Sequence, residues 1–268
     1  AFMVTFVENE GRLEGTQMEA VERLNEAAGE AELTVAGGIS TVDEIARLHE
    51  MGVDAQVGMA LYKDRLHLAD AIAAPLESDR EDGLWPTVVC DEHDKALGLA
   101  YSDGESLREA VDRKRGAYHS RSRGLWVKGE TSGNVQHLRR IDLDCDADAL
   151  RFTVEQEGEG FCHRDTWTCW GEDRGLSRLE RIVEQRRQEA PEGSYTKKLF
   201  EHPELLTDKL LEEAAELGEA DEPDAVVWEA ADLLYFAMVA MAAGETSLRE
   251  VEDELTRRMG EIEAPDED

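Results

Sequence analysis

Five consecutive residues, Asp144-Cys145-Asp146-Ala147-Asp148, hold the densest chemistry in the chain. On an extended segment alternate residues share a face, so the three carboxylates point together and Cys145 points the other way. Converging carboxylates repel one another unless a hard cation such as Mg2+ lies between them. Downstream stand Cys162 and Cys169, with His163 between them. Three thiolates and a water make a four-coordinate zinc site with one open position, where the pKa of bound water falls to about 7. The spacing lacks the paired C-x-x-C elements of a zinc finger, which favours catalysis over structure. On spacing alone, the same residues equally suit buried free cysteines beside a solvated acidic turn.

A basic island lies upstream. It comprises Arg113, Lys114 and Arg115, then Ser120-Arg121-Ser122-Arg123, then Trp126 and Lys128-Gly129-Glu130-Thr131-Ser132-Gly133-Asn134. Gly129 and Gly133 permit close backbone approach, and the hydroxyls and cations suit phosphate oxygens. An ordinary charge-balanced surface loop is the plainer reading, but the island runs against the composition of the whole chain.

A third cluster falls on two helical segments. Glu212, Glu213 and Glu216 sit at i,i+3 and i,i+4 spacing, as do Glu229 and Asp232 at i,i+3. Like charges at that spacing destabilise a helix without a counter-ion. Two facing helices with such pairs would form an all-oxygen Mg2+ site. A solvated acidic face is the bland alternative. Against it, Asp232 stands in an apolar run, where a lone carboxylate is costly to bury unless paired or metal-bound. Arg186, Arg187 and Ser194-Tyr195-Thr196-Lys197-Lys198 lie upstream and suit polyphosphate.

These groups need elements to hold them. From 1 to 74 the pattern alternates. Strands are expected at Phe2–Val7, Leu33–Ala36 and Ala55–Val57, and helices at Met18–Ala28 and Ser40–Met51. The second helix has Ser40 or Thr41 as N-cap and Glu44 as capping-box partner. That rhythm indicates βαβ units. Pro75–Gly83 is polar and reads as a linker. From 84 to 171, β-type runs (Thr87–Val89, Ala96–Tyr101, Gly124–Val127, Arg151–Val154) accompany one helix at Ser106–Arg115, an α+β pattern. From 176 to 262 helical spacing dominates.

Sixty-two acidic residues against 29 Lys plus Arg give a formal charge of −33. Such a surface repels nucleic acid and anionic membranes and tolerates high salt. Hydrophobic residues at 41% allow packed cores. No run approaches the ~20 consecutive apolar residues of a membrane span. The N-terminus lacks the basic and apolar regions of a signal peptide, so a cytoplasmic location is expected. Ala1 falls inside a strand pattern, as in a piece of a longer protein. Four cysteines without an export signal point to metal or catalytic roles more than to disulfides. Cys90 reads as a structural cysteine in a strand.

The string SRSRGLWVKGETSGN, followed by DCDAD and CHRDTWTC, strongly resembles phosphoribosyl-AMP cyclohydrolase over 84–171. The resemblance implies zinc on Cys145, Cys162 and Cys169, and Mg2+ on Asp144, Asp146 and Asp148. It also implies a homodimer with zinc ligands from both subunits, and substrate contacts from Arg121 and Arg123 through Trp126 and Lys128–Asn134. The implied reaction is hydrolytic opening of the adenine ring between N1 and C6 of phosphoribosyl-AMP, with His163 as the candidate for proton transfer. Glu157–Phe161 is a residue longer than in many relatives.

RLERIVEQRR, SYTKKL, KLLEEAAE and EAADLLY, in that order, closely resemble phosphoribosyl-ATP pyrophosphohydrolase, an all-α relative of the MazG-type enzymes. This implies Mg2+ on Glu213, Glu216, Glu229 and Asp232, with Glu212 as ligand or base. Substrate contacts would come from Arg186, Ser194, Tyr195, Thr196 and Lys209. Release of pyrophosphate from phosphoribosyl-ATP would supply the cyclohydrolase substrate. Phe236 stands where that family usually has His.

VTFVENEGRLEG, TVAGGIS and AQVGMALY resemble the last strands of the phosphoribosyl-formimino isomerase barrel of the same pathway. Gly37-Gly38 and Gly58 fall where that barrel binds phosphate, but Phe6 replaces the expected catalytic Asp. Residues 1–74 therefore read as a partial β/α barrel remnant without isomerase activity. The expected architecture is multidomain: this remnant, a central α+β domain and a C-terminal all-α, MazG-like domain. Two rivals to the bifunctional enzyme are a decayed metal-binding scaffold and a general nucleotide pyrophosphohydrolase joined to an unrelated zinc domain.

Overall fold

The computed structural model describes every residue except Glu10, Arg12–Glu14, Arg121, Arg123 and 264–268, and gives backbone alone over 261–263. The chain divides into two compact units, Ala1–Trp170 and Gly171–Asp268.

The first unit opens with three short strands, β1 (Phe2–Thr5), β2 (Leu33–Ala36) and β3 (Val53–Gln56), paired parallel in that order. The first strand is shorter than the Phe2–Val7 pattern, because the chain turns into a 3-10 helix at Val7–Asn9. Helices α1 (Met18–Ala28) and α2 (Val42–Glu50) supply the crossovers. Thr41 caps α2 and Glu44 closes the capping box, which satisfies amides that the first helical turn leaves unpaired. Val21, Val35, Ile39 and Leu48 form the core of this lobe, with Phe6 packed against it.

Helices α3 (Met59–Tyr62) and α4 (Leu68–Ala73) follow. Strands β4 (Trp85–Cys90) and β5 (Ala96–Ser102) come next, then α5 (Gly104–Arg113), capped by Asp103. The unit ends with β6 (Ala117–Ser120), β7 (Gly124–Val127), β8 (Gln136–Leu143) and β9 (Leu150–Gln156). A four-stranded sheet orders them β5-β4-β9-β8, and β6 pairs with β7 in a hairpin. Tyr118, Phe152, Leu97 and Leu107 fill the core between this sheet and α5.

Several features depart from the sequence pattern: α3, α4 and β6 fall where no element is expected, and α5 runs Gly104–Arg113 and not Ser106–Arg115. Strand β8 carries charged residues on both faces (HLRRIDL), which hides the alternation expected of a strand. Residues 144–149 are a turn and not an extended segment: β8 ends at Leu143, and Ala147 adopts a left-handed φ of 55°.

The second unit is helical throughout: α6 (Leu176–Gln188), α7 (Tyr195–Glu201), α8 (Pro203–Glu219), α9 (Pro223–Ala243) and α10 (Leu248–Glu263). Val183, Leu199, Leu206, Phe236 and Val239 make its core. Contrary to the sequence reading, α9 is long and apolar enough to cross a membrane by length and composition, and only 17% of its apolar window is buried within the chain.

Candidate active sites

The turn after β8 gathers the Asp triad by capping, not by strand alternation. Asp144 Oδ1 accepts from the backbone N–H of Asp148 and of Ala149, each at 3.0 Å. That folds the chain back so that oxygens of Asp144, Asp146 and Asp148 lie within 4.8 Å of one another. Partial burial, then Asp146 and Asp144, push the Asp148 carboxyl above its ordinary range, and Asp79 adds to the effect. A site that disfavours its own negative charge suits a divalent cation.

Cys162 and Cys169 are brought together; Cys145 is not among them, and stands exposed in the Asp turn. Residues 161–169 double back on themselves: Phe161 N–H donates to Trp167 O and Cys162 N–H to Thr166 O, both at 3.1 Å. Cys169 N–H is anchored on Leu97 O at 2.8 Å and Thr168 Oγ1 on Ala96 O at 2.8 Å. Hydrogen bonds from the Arg164 backbone and the Thr166 side chain draw the Cys162 thiol down, while burial and the neighbouring Cys162 push Cys169 up to about 11. His163 is exposed on the turn beside them.

Lys128 joins this thiol pair to the basic island. It is only 6% exposed, and its Nζ lies 5.4 Å from the Phe161 ring and 5.9 Å from the Trp126 ring. Burial pushes its ammonium down, against the opposing pull of Cys169 and Cys162. With Arg113, Arg115, Gly129 and Glu130 it lines a cleft of about 480 Å³. Gly129 and Gly133 both take left-handed φ, and a side chain at Gly129 would meet Val135 backbone at 2.6 Å. Glu130 is engaged by Arg113 at 3.0 Å, and Asn134 Oδ1 accepts from Glu159 N–H at 3.1 Å. Thr131 and Ser132 are exposed on the same loop. Arg121 and Arg123 lie outside the described residues.

In the second unit, oxygens of Glu213 and Glu216 from α8 and Glu229 from α9 lie within 4.8 Å of one another. Glu213 is only 5% exposed. Burial, then Glu216 and Glu213, push the Glu229 carboxyl up; Asp232 contributes more weakly and stands outside the cluster of three. Lys209 Nζ reaches Glu212 at 2.7 Å and Glu213 at 3.3 Å. Thr196 Oγ1 and Tyr235 OH share a 2.9 Å hydrogen bond. Ser194 caps α7, Tyr195 packs edge-on against Phe236, and Arg186 is half-buried on α6. Phe236, at the position where a His was expected, is a core residue.

Family models match in three consecutive stretches: "histidine biosynthesis protein" at 1–67, "phosphoribosyl-AMP cyclohydrolase" at 98–171 and "phosphoribosyl-ATP pyrophosphohydrolase" at 176–259. The bifunctional histidine biosynthesis protein HisIE of Pyrococcus furiosus is 37% identical over 196 residues, covering 67% of this chain and 93% of that protein. The chain belongs to this bifunctional histidine biosynthesis family. The bifunctional protein his7 of Schizosaccharomyces pombe is 48% identical over 204 residues, and the trifunctional protein of Saccharomyces bayanus 49% over 203. This chain spans 49% and 25% of their lengths.

Within the family's two hydrolase regions, each acid cluster of three falls inside one matched stretch. Sequence reasoning missed Asp91. This side chain is 3% exposed. Its Oδ1 accepts from the backbone of His93 and Lys95, and its Oδ2 from the Trp167 indole N–H, each at 3.0 Å. It therefore ties the cysteine hairpin to the β4–β5 turn. Its only sequence signal is a lone Asp at a strand end, which many turns share.

Proposed function

We propose that the chain catalyses two consecutive hydrolyses of histidine biosynthesis. The second unit would convert phosphoribosyl-ATP to phosphoribosyl-AMP and pyrophosphate, and the cyclohydrolase region of the first would open the adenine ring of that product. The observation that carries this reading is the pair of three-carboxylate clusters, one inside each hydrolase match.

The residues fit the implied metals. Asp144, Asp146 and Asp148 would hold one Mg2+, and Glu213, Glu216 and Glu229, with Asp232 close by, another. These are oxygen donors of the type Mg2+ takes, and in each cluster one carboxyl, Asp148 or Glu229, is pushed up by burial and then by its acidic neighbours. Cys162 and Cys169 offer two zinc ligands, and Cys145 of a second subunit would supply the third. The zinc would supply water activation and charge stabilisation. Lys128, with Arg113 and Arg115 along the cleft, binds and orients the phosphate of the substrate. Gly129 and the 130–134 loop flank the cleft, and Trp126, Arg121 and Arg123 would add substrate contacts, as the family resemblance implies. His163 moves a proton at the ring nitrogen. In the second unit, Lys209 orients Glu212 beside the cluster, and Arg186, Ser194, Tyr195 and Thr196 face polyphosphate.

A homodimer goes with this reading. On α9, Val226, Val227, Trp228 and Leu234 are exposed, with Leu211 on α8. A bilayer would have to accept Glu229 and Asp232 at mid-helix, at about 2.5–3.5 kcal/mol for an acid at the centre, so a second copy is the better cover. We read the first sheet as β/α-barrel-like, the second unit as MazG-like, and the location as cytoplasmic.

Incubation with phosphoribosyl-ATP, Mg2+ and Zn2+ tests the proposal. Pyrophosphate release with the absorbance change of ring opening supports it. Release alone indicates a general pyrophosphohydrolase, and silence a decayed scaffold.

A further inference from the structure

The residues between the first and second sheets have the composition of a linker, yet they are fastened at both ends. On the N-terminal side, Ala69 of α4 is 1% exposed inside the same core as Leu97 and Leu107, and Ile72, Ala73 and Leu76 pack against that core. Arg108 of α5 donates to both carboxylate oxygens of Asp70, at 2.6 and 2.7 Å. His67 accepts from Ala69 N–H at Nδ1 and meets Asp112 through Nε2 at 2.8 Å. On the other side, Ser78 Oγ donates to Leu84 O at 2.9 Å. Arg80 forks onto Asp82 and stacks 4.6 Å from the Tyr101 ring centroid.

Between these anchors, the backbone N–H of Glu77 donates to the carbonyl of Ala147 at 2.9 Å. Ala147 is the pivot of the Asp turn: it is 1% exposed, its φ is 55°, and it stands between Asp146 and Asp148. An alanine in the left-handed region costs about 1–2 kcal/mol and persists only where its surroundings impose it. Asp144 holds one side of the turn, through the amides of Asp148 and Ala149. Glu77 holds the other. Fixing the Ala147 carbonyl fixes the peptide plane between Ala147 and Asp148, while Ala147 N–H, donating to Asp144 O at 3.4 Å, holds the plane before it; together they set the directions in which Asp146 and Asp148 leave the backbone.

We propose that Glu77 is a positioning residue of the Asp144–Asp148 turn, acting through its backbone N–H, and that the N-terminal lobe works through α4 as the brace that holds it there. The lobe then has a use that does not depend on isomerase chemistry. The consequence for metal binding rests on the Mg2+ reading of that turn; the brace itself does not. Partners that orient metal ligands typically change affinity 10–100-fold when lost, and Glu77 is placed to act in that way.

Two substitutions in the full chain separate the N–H from the side chain. Glu77→Pro removes the donor, whereas Glu77→Ala keeps it. Amide hydrogen exchange of the 144–150 peptide, measured without metal, reads the turn directly. Mn2+ titration in a Glu229→Gln background, which weakens the second unit's cluster, reads ion binding at the Asp triad as the part that an added Asp146→Asn removes. Glu77→Pro should speed exchange at the amides of Asp148 and Ala149 and weaken Mn2+ binding about tenfold, while Glu77→Ala matches the parent. Pyrophosphate release, assayed with Glu229 intact, should stay at the parent level in both. Exchange in Glu77→Pro that equals Glu77→Ala overturns the proposal. Faster exchange with no Mn2+ bound by any variant keeps the brace and removes the Mg2+ reading instead. Should Glu77→Pro not fold, Asp70→Ala combined with Arg108→Ala must speed exchange at the same peptide relative to Arg139→Ala; equal rates overturn it.

Discussion

The indole N–H of Trp167 donates to the buried carboxylate of Asp91, 76 residues earlier, at 3.0 Å. This bond fastens the hairpin that carries Cys162 and Cys169 to the turn between β4 and β5. Asp91→Ala should therefore lower zinc content and cyclohydrolase turnover together. It should also cost about 1–3 kcal/mol of stability, because the Trp167 indole and the His93 and Lys95 amides lose their acceptor. Metal analysis after dialysis, with denaturant unfolding, checks both. Retained zinc with full turnover would contradict the anchoring role.

A chain of buried polar groups crosses the same domain. Tyr118 OH donates to Gln136 Oε1 at 2.7 Å, and Gln136 Nε2 to Gln156 Oε1 at 2.8 Å. Complete burial pushes the Tyr118 hydroxyl far above the usual tyrosine range, so it stays a donor at all working pH. Tyr118→Phe leaves Gln136 Oε1 without that donor, at a cost of about 1–3 kcal/mol. Urea unfolding followed by fluorescence should show a lower midpoint with an unchanged slope.

The four cysteines should separate by chemistry. Cys90 is buried, and burial raises its thiol; Cys145 is exposed. Without zinc, a thiol reagent should label Cys145 rapidly and Cys90 only after unfolding. Cys90→Ser should keep zinc, and Cys162→Ser should lose it. A zinc-depleted Cys90→Ser protein would place Cys90 at the metal instead.

How far the sequence exposes these arrangements differs from element to element. Thr41 and Glu44 announce a helix start by spacing alone, because a capping box is local. The helical unit is legible for the same reason, since its period repeats over many turns. The Asp turn is legible in composition but not in shape: a left-handed alanine has no sequence signal, and the alternation rule places the three carboxylates together for the wrong reason. The segment at 75–83 looks like a linker because its fastening uses a backbone N–H and an exposed ion pair. Asp91 is invisible for a related cause, because its partner Trp167 lies far away in the chain. Cys145, next to its Asp neighbours in sequence, stands apart from the other two thiols, which no spacing rule foretells.

In the second unit, Glu229 is held above its usual range by burial and by Glu216 and Glu213. Removing its charge should relieve repulsion when no metal is present. Glu229→Gln is thus expected to raise the thermal midpoint in EDTA, yet to lose most of the Mg2+-induced rise seen in the parent chain and to abolish pyrophosphate release. Differential scanning fluorimetry with and without Mg2+ reads both effects. A midpoint that falls in EDTA would mean that the carboxylate is structural and not a ligand.

Glu44 provides the pH test of the N-terminal lobe. Burial pushes its carboxyl up, but donors from the backbone of Thr16, Ser40 and Thr41 and from the Thr41 hydroxyl outweigh that and hold it below its ordinary value of 4.5. A carboxyl lowered by folding stabilises the folded state above the unfolded value, and that contribution is lost as pH falls through the lower folded value. The lobe should thus begin to loosen as pH drops past 4.5. Glu44→Gln should cost about 1 kcal/mol at neutral pH, as expected for a lost capping interaction, and should flatten the acid limb of the profile. Hydrogen exchange of the α2 amides between neutral and acid pH checks this. The brace proposed above adds one requirement. If the lobe holds the Asp turn, acid loosening of α2 in the parent chain should be followed, at the same or lower pH, by faster exchange at Asp148 and Ala149. Glu44→Gln should show the faster turn exchange already at neutral pH. A turn that stays protected while α2 opens would confine the brace to α4 and residues 75–83 and leave the rest of the lobe without a part in it.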